Sequence, residues 1–279
     1  MRIVVLGSSI YSETACAVAV RLSELGHIPA GVLSLSTFDR DTLLRKLGQW
    51  GFQRAAQYAR AKLLARKRHK QYQLQNPYLG PWLKHATGVF LSLRDASNVY
   101  GFPISLVANQ NSPDAISRLK AWSPELIVFA GGNILRKQIL TLPRLGVLNI
   151  HLGLLPQIRG MSGPEWSLLK DVPLGITIHY MDSGIDTGPI LQRYEHPDVA
   201  CCESLADLRH RLIAFGVDKL GQVIAGLDRG TIVSTPQPTP SSIRDGDNQY
   251  FAMHEWLQKH AATILARHNP SVPAETIYG

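Results

Sequence analysis

Three polar residues of this chain combine the side-chain types of acyl-transfer chemistry with positions where a backbone would expose them. Asn149 and His151 stand at the end of a mostly apolar run, and Asp186 lies in the glycine-rich segment 181–188. Residues two apart in an extended strand point to the same face, so the amide and the imidazole would line one pocket wall. The glycines of segment 181–188 would let its backbone approach a ligand closely and bring Asp186 beside His151.

These three side chains suit the transfer of a formyl or similar acyl group to an amine. The Asn149 amide and the His151 imidazole can donate hydrogen bonds to the oxyanion of a tetrahedral intermediate, each worth about 2.7–4 kcal/mol. Asp186 would hold the imidazole in place or stabilise its charged form. A histidine can also carry a proton away from the attacking amine, a role that increases the reaction rate roughly 10²–10⁴-fold.

Each residue also has an ordinary structural explanation when it is taken alone. A single histidine at a strand end is more often structural, and an aspartate in a glycine-rich turn usually accepts hydrogen bonds from its own backbone. Four residues could in principle be metal ligands: His179, Asp182, Asp186 and His196. Their spacing matches no recognised ligand set, so we expect no metal. The run 160–164 has proline where a nucleophile elbow needs glycine, which argues against a nucleophilic serine.

The pattern of apolar residues predicts an open α/β fold. Apolar runs at 2–6, 30–35 and 125–130 predict strands, and the last is of the nearly all-apolar kind found inside parallel sheets. Helical spacing over 13–25 and over 205–227 predicts two amphipathic helices. Strands that alternate with helices are typical of α/β proteins.

Between about 38 and 100 this alternation breaks off, and we predict a basic helical insertion. The stretch from Arg40 to Lys70 has ten Lys or Arg and one acidic residue, so it carries a formal +9 and the rest of the chain −1. Such a stretch could attract a nucleotide diphosphate, a tRNA or an anionic membrane, or simply be a solvated helix face. After residue 235 we predict a C-terminal extension, 236–279, with a short helix at 252–267.

Cysteine content and hydropathy predict a cytoplasmic protein. Cys16, Cys201 and Cys202 cannot form a disulfide framework, which favours a reducing compartment. The apolar start is too short for a signal peptide, and no run approaches the roughly 20 apolar residues of a spanning helix.

The chain resembles the 10-formyltetrahydrofolate-dependent formyltransferase family. The family pattern Asn-x-His-x-x-x-Leu-Pro-x-x-Arg-Gly matches 149–160, and Asp-x-Gly-x-Asp-Thr-Gly matches 182–188. A weaker resemblance covers 1–35 and 105–235. It implies a catalytic domain at 1–235 with the Rossmann-like formyltransferase fold, in which a central sheet is mostly parallel. It also puts Asn149, His151 and Asp186 at the family's catalytic positions.

The resemblance further implies where the co-substrate 10-formyltetrahydrofolate binds. Its pterin ring would lie between segments 130–135 and 181–186. The implied folate contacts are Asn133, Ile134, Leu135, Leu140, Asp182, Gly184 and Ile185. Ser8 and Ser9, on the turn after the first strand, occupy positions where family members often contact an acceptor phosphate.

The acceptor amine is what distinguishes members of this family. Glycinamide ribonucleotide transformylases lack an insertion like 38–100, and methionyl-tRNA formyltransferases carry a C-terminal barrel for which the residues after 235 are too few. The chain looks closest to the sugar-nucleotide N-formyltransferases, which often show Arg-Gly followed by Pro and Trp, as in 159–166. The expected acceptor is therefore a phosphate-bearing small molecule, a primary amine on a nucleotide-linked amino sugar.

Two alternatives stay open. In one, the same chemistry acts on an aminoacyl-tRNA or a peptide amine, and the basic insertion replaces the missing barrel. In the other, the chain binds a polyanion or a membrane and its folate site is vestigial, although all three catalytic positions are filled. The sequence leaves the oligomeric state open, a homodimer included.

Overall fold

The computed structural model describes residues 1–36, 74–85, 88–196, 201–238 and 248–268. The chain divides into two compact units, Met1–Leu145 and Gly146–Gly279. The predicted basic helix between Arg40 and Lys70 lies outside the described residues.

In the described part of the first unit, four strands pair in parallel. The strands of this unit are β1 (Ile3–Gly7), β2 (Gly31–Leu35), β3 (Lys84–His85), β4 (Gly88–Val89), β5 (Ile104–Val107) and β6 (Leu126–Ala130). The parallel strands lie in the order β6, β1, β2, β5, while β3 and β4 form a short antiparallel pair. Every residue of β1 is buried, as a continuous apolar run in a parallel sheet requires. The three strands predicted for this unit are confirmed to within a residue or two.

Three helices of the first unit begin at serines whose side chains accept a hydrogen bond from the helix backbone. The helices of this unit are α1 (Glu13–Glu24), α2 (Gly80–Leu83), α3 (Leu93–Tyr100), α4 (Pro113–Trp122) and α5 (Lys137–Leu140). Ser12, Ser92 and Ser112 cap α1, α3 and α4. Since α3 directly precedes β5, which pairs with β2, it is the crossover helix of a β-α-β unit. The interruption predicted for 38–100 therefore ends before Leu93.

The described residues just before α2 are attached to α1. The Glu13 carboxylate accepts hydrogen bonds from the backbone N–H of Gln75 and of Asn76, both at 2.8 Å. Leu79 and Leu83 are fully buried. This segment therefore belongs to the core of the first unit.

The second unit is built around three antiparallel strands. Its strands are β7 (Gly146–His151), β8 (Arg159–Gly160), β9 (Gly175–Tyr180), β10 (Ile190–Glu195) and β11 (Gln249–Tyr250), and its helices are α6 (Gly163–Lys170), α7 (Leu205–Asp228) and α8 (Glu255–His268). Strand β9 pairs with β7 on one side and β10 on the other. Helix α7 confirms the predicted long amphipathic helix and runs without a break through Gly216. A Cβ at Gly216 would lie 2.5 Å from Cγ2 of Ile150, so glycine lets α7 lie close to β7.

Residues 248–268, which fall within the predicted C-terminal extension, lie against α6 within the second unit. Strand β11 pairs in parallel with β8, and the rings of Trp166 and Tyr250 stack with centroids 4.8 Å apart. The indole N–H of Trp166 donates to the carbonyl of Phe251 at 3.0 Å. Helix α8 confirms the last predicted helix.

No helix in the described ranges is long and apolar enough to span a membrane. Cys16, Cys201 and Cys202 form no disulfide bond, and burial raises the pKa of Cys16 to about 12. An unreactive Cys16 follows, because the thiolate is the nucleophilic form.

Candidate active site

Strand β7 ends in the two polar residues that the sequence singled out. His151 is 6% exposed, and its Nε2 lies 2.7 Å from the carbonyl oxygen of Ile158. A carbonyl can only accept, so Nε2 carries a proton. The other ring nitrogen, Nδ1, faces Oδ2 of Asp186 at 3.3 Å. The structure thus brings Asp186 beside His151.

Asp186 connects three parts of the second unit through its carboxylate. Oδ2 accepts a hydrogen bond from the backbone N–H of Gly160 at 2.9 Å, and Oδ1 lies 3.5 Å from Nε2 of His179. The residue itself has a left-handed backbone, with φ of 53°. Non-glycine residues rarely adopt that conformation unless their surroundings hold them there.

His179 also belongs to the site, although the sequence suggested it only as a possible metal ligand. Its Nδ1 lies 2.8 Å from the carbonyl of Tyr180 and therefore donates, so in the tautomer with its single proton at Nδ1 the Nε2 atom is an acceptor. Asn149 Nδ2 lies 3.2 Å from that nitrogen. Residues two apart in a strand, such as Thr177 and His179, point to the same face, but only the pairing with β7 shows that His179 faces Asn149.

Burial and charge act in opposite directions on the His151–Asp186 pair. Burial lowers the pKa of His151, and the Asp186 carboxylate opposes that change only in part. Burial alone would raise the pKa of Asp186, but the charge of His151 and the hydrogen bond from the Gly160 N–H lower it. The free site therefore pairs an ionised carboxylate with a mainly neutral imidazole near neutral pH. A proton taken up at Nδ1 would lie against the carboxylate.

In the first unit, Gln110 holds the segment that carries three of the predicted folate contacts. The fully buried Gln110 side chain donates to the carbonyls of Gly7 and Gly131, both at 3.2 Å, and accepts from the Asn133 N–H at 2.9 Å. The Asn133 side-chain oxygen in turn accepts from the Gln110 N–H at 3.1 Å. The Asn133 side chain therefore has a structural role in this loop.

The apolar residues after Asn133 differ in exposure. Ile134 is 80% exposed, Leu135 is buried, and Leu140 at the end of α5 is half-buried. Ser8 is exposed after β1, whereas the Ser9 hydroxyl accepts a hydrogen bond from the Tyr11 N–H at 3.2 Å.

In the second unit, the segment before Asp186 is a turn held by Asp182. Oδ1 of Asp182 accepts from the Gly184 N–H at 3.0 Å and from the Thr187 hydroxyl at 2.6 Å. The ordinary structural explanation thus applies to the Asp182 carboxylate. Gly184 and Ile185 are exposed, which leaves their backbone and the Ile185 side chain accessible.

Two further residues near Asp186 were not predicted as site residues. Arg159 appeared only as part of a motif, and Gln237 lies in a loop with no periodic pattern. Gln237 donates to the carbonyls of Asp186 and Gly188, and Arg159 donates to Gln237. Across the described ranges, no group of three or more His, Cys, Asp or Glu residues is arranged to hold a metal.

The fold is that of a Rossmann-like α/β protein, in which crossover helices join parallel strands. Its candidate site has an amide, two imidazoles and a carboxylate clustered at a strand end, a set of groups that suits group transfer. The model of the formyl transferase family matches residues 85–233, which is more than half of the chain. The chain belongs to the formyl transferase family, as its motifs predicted.

Curated relatives match a shorter part of the chain. It is 34% identical over 145 residues to the methionyl-tRNA formyltransferase of Trichlorobacter lovleyi, covering 51% of this chain and 46% of the relative. It is 38% identical over 123 residues to the corresponding enzyme of Halorhodospira halophila, covering 43% and 39%. The chain thus spans less than half the length of these relatives.

Solved structures match over most of the chain. Glycinamide ribonucleotide transformylase 1 from Symbiobacterium toebii matches with a TM-score of 0.55 and 21% identity, over 85% of this chain and 94% of that one. The N-formyltransferase from Helicobacter canadensis, solved with folinic acid and dTDP-3-aminofucose, matches with a TM-score of 0.51 and 12% identity, over 90% and 70%. At these identities the likeness shows the fold, and the predicted Rossmann-like formyltransferase fold is confirmed.

Proposed function

We propose that this protein transfers a formyl group from 10-formyltetrahydrofolate to a primary amine. One observation carries the proposal: the Asp186 carboxylate lies against His151 Nδ1 while Asn149 points its amide nitrogen at His179. Hydrogen-bond donors and a proton acceptor then lie together at one strand end, as acyl transfer to an amine requires. Membership of the formyl transferase family agrees with this chemistry.

The attacking amine forms a bond to the formyl carbon and gives a tetrahedral intermediate with a negatively charged oxygen. One N–H of Asn149 donates to His179, so the second remains to stabilise that oxygen. His151 takes the proton that the amine must lose, and Asp186 stabilises the resulting imidazolium. The bond from carbon to N10 of the folate then breaks, N10 takes up a proton, and tetrahydrofolate leaves.

Contacts to the folate are proposed for each unit separately. In the first unit they are Asn133, the exposed Ile134, the backbone of Leu135, and Leu140. In the second they are the backbone of Asp182 and Gly184 with the side chain of Ile185, which is 40% exposed. Covering these exposed apolar side chains with a flat ring removes apolar surface from water, which favours binding.

For the acceptor we propose an amino sugar linked to a nucleotide, with Ser8 and Ser9 contacting its phosphate. The Arg-Gly, Pro and Trp positions within 159–166 support this choice. A second candidate is an aminoacyl-tRNA, because the curated relatives at 34% and 38% identity are methionyl-tRNA formyltransferases. We also propose a cytoplasmic location, because Cys16, Cys201 and Cys202 form no disulfide bond.

An acceptor screen tests the proposal. Purified protein is incubated with 10-formyltetrahydrofolate and either amino-sugar nucleotides or methionyl-tRNA, and formylated product is measured by mass spectrometry. Product from an amino-sugar nucleotide supports the first candidate, and product from methionyl-tRNA alone supports the second. Failure to bind folinic acid in a calorimeter would favour a polyanion- or membrane-binding protein with a vestigial folate site.

A further inference from the structure

Gln237 contacts the Asp186 segment from a distant part of the second unit. Its Nε2 donates to the carbonyl of Asp186 at 2.9 Å and to the carbonyl of Gly188 at 2.7 Å. Its Oε1 accepts from Nε and Nη2 of Arg159, at 3.2 and 2.9 Å. Both ends of one amide are therefore engaged, one by the backbone around Asp186 and the other by a buried guanidinium.

The chemistry of these partners fixes the orientation of the Gln237 amide. A guanidinium can only donate and a carbonyl can only accept, so the oxygen must face Arg159 and the nitrogen must face Asp186 and Gly188. Glutamate is nearly isosteric but has no N–H to donate. A glutamate at this position would keep the Arg159 contact and lose both contacts to the carbonyls.

One of the two carbonyl contacts is made to a residue with a strained backbone. Asp186 has φ of 53°, a left-handed conformation that is unfavourable for a non-glycine residue. That conformation aims the carboxylate at His151 Nδ1 and at the Gly160 N–H. Arg159 immediately precedes Gly160, so Gln237 holds both the segment that carries the carboxylate and the segment that donates to it.

We infer that Gln237 is a positioning residue that, anchored by Arg159, holds the Asp186 carboxylate against His151 and the Gly160 N–H. The consequence for catalysis rests on the proposed formyl transfer, but the positioning itself can be measured without any substrate. The Gly160 N–H donates to the Asp186 carboxylate, so its hydrogen exchange reports directly on where that carboxylate lies.

The test compares hydrogen exchange by NMR in the full chain and three variants. Gln237→Met removes every polar contact, and Gln237→Glu keeps only the acceptor for Arg159. Gln258→Met is the matched control, because Gln258 also donates from Nε2 to a backbone carbonyl, that of Met253 at 2.9 Å, in the same unit. The amides of strand β9 serve as internal reference.

We expect the Gly160 amide to exchange about tenfold faster or more in both Gln237 variants, relative to the β9 amides. In Gln258→Met the same ratio should stay within about twofold of the wild type. A merely structural Gln237 would accelerate all amides alike and leave the ratio unchanged. Should Gln237→Met fail to fold, Gln237→Glu still decides, because its carboxylate can pair with Arg159.

Two results would overturn the inference: an unchanged ratio in a folded Gln237→Met, or wild-type protection of Gly160 in Gln237→Glu. The second would mean that satisfying Arg159 is all that Gln237 does. Loss of Gly160 protection in a protein that binds no folinic acid would instead support the positioning role and count against the proposed function.

Discussion

Asn149 donates a hydrogen bond from its amide nitrogen to Nε2 of His179, 3.2 Å away and directly opposite it across the antiparallel pair β7–β9. His179 can accept there because its Nδ1 proton is committed to the Tyr180 carbonyl. The imidazole thereby fixes the orientation of the Asn149 amide, so that N–H donors rather than the oxygen face the site. An asparagine that exposed its oxygen instead would repel the oxyanion that the proposed reaction generates.

Asn149→Asp is nearly isosteric and replaces the N–H donor by an acceptor. Because one preorganised donor is lost, we expect kcat for formyl transfer to fall by about 10²–10³-fold. The Kd for folinic acid, measured by calorimetry, should change much less. A variant with wild-type kcat would exclude Asn149 as an oxyanion donor.

His179→Phe keeps a ring against β7 but removes the acceptor for Asn149. We expect kcat to fall by about 10²-fold, because a misplaced catalytic group is costly even when it is present. Steady-state kinetics on the folded variant measure this. His260→Phe is the control, since His260 is an exposed histidine on α8 and should leave kcat unchanged. Equal kcat values for His179→Phe and the control would show that the hydrogen bond does not orient Asn149.

The acid limb of activity should report the His151–Asp186 pair. Burial lowers the pKa of His151 below its ordinary value of 6.5, so the neutral base persists and kcat/KM should hold as pH falls below 6.5. The Asp186 carboxylate stabilises the protonated ring, so Asp186→Asn should move the residual acid limb to still lower pH. Profiles of kcat/KM against pH for both proteins measure this. A limb that moves to higher pH in the variant contradicts the assigned pairing.

The lowered pKa of Asp186 also predicts how stability depends on pH. A carboxyl whose pKa is lower in the folded than in the unfolded state stabilises the fold above its ordinary pKa of 3.8. That contribution disappears as pH falls through the lower folded value. Urea unfolding of the wild type and Asp186→Asn should therefore show a free-energy difference at pH 6 that shrinks toward pH 3. A difference independent of pH would contradict an ionised, paired Asp186.

Gly216→Ala tests the close approach of α7 to β7. The new Cβ would lie 2.5 Å from Ile150, so we expect a loss of about 1–3 kcal/mol in the free energy of unfolding. Ile150→Ala removes that Cγ2 methyl and should therefore cost less stability in the Gly216→Ala background than in the wild type. Gln222→Ala, at an exposed position on the same helix, is the control for chemical denaturation. Wild-type stability in Gly216→Ala would mean that the helix and strand separate at no cost.

The sequence predicted the parts of this molecule that depend on local periodicity. The apolar runs predicted β1, β2 and β6, and the helical spacing predicted α1, α7 and α8, because burial of one face is written in the order of nearby residues. The same periodicity predicted that the side chains of Asn149 and His151 lie on one face of their strand. Asp186 came from its spacing within a family motif rather than from periodicity.

The rest depends on pairing between distant segments, which periodicity does not encode. His179 meets Asn149 only because β9 is antiparallel to β7 in one particular register. Gln237 lies 51 residues from Asp186, in a loop rich in proline and serine where no repeat indicates a partner. Asp182 shows the converse, since its carboxylate closes a turn, as aspartates in such segments ordinarily do.

In the proposed reaction, Asn149, His151 and Asp186 together transfer a formyl group to an amine. The most direct measurement is release of tetrahydrofolate from 10-formyltetrahydrofolate with the acceptor found by the screen, for the wild type, His151→Ala and Asp186→Ala. We predict turnover by the wild type and a loss of roughly 10²–10⁴-fold in each variant, while both still bind folinic acid. Full activity in both variants would show that neither His151 nor Asp186 takes part in the reaction.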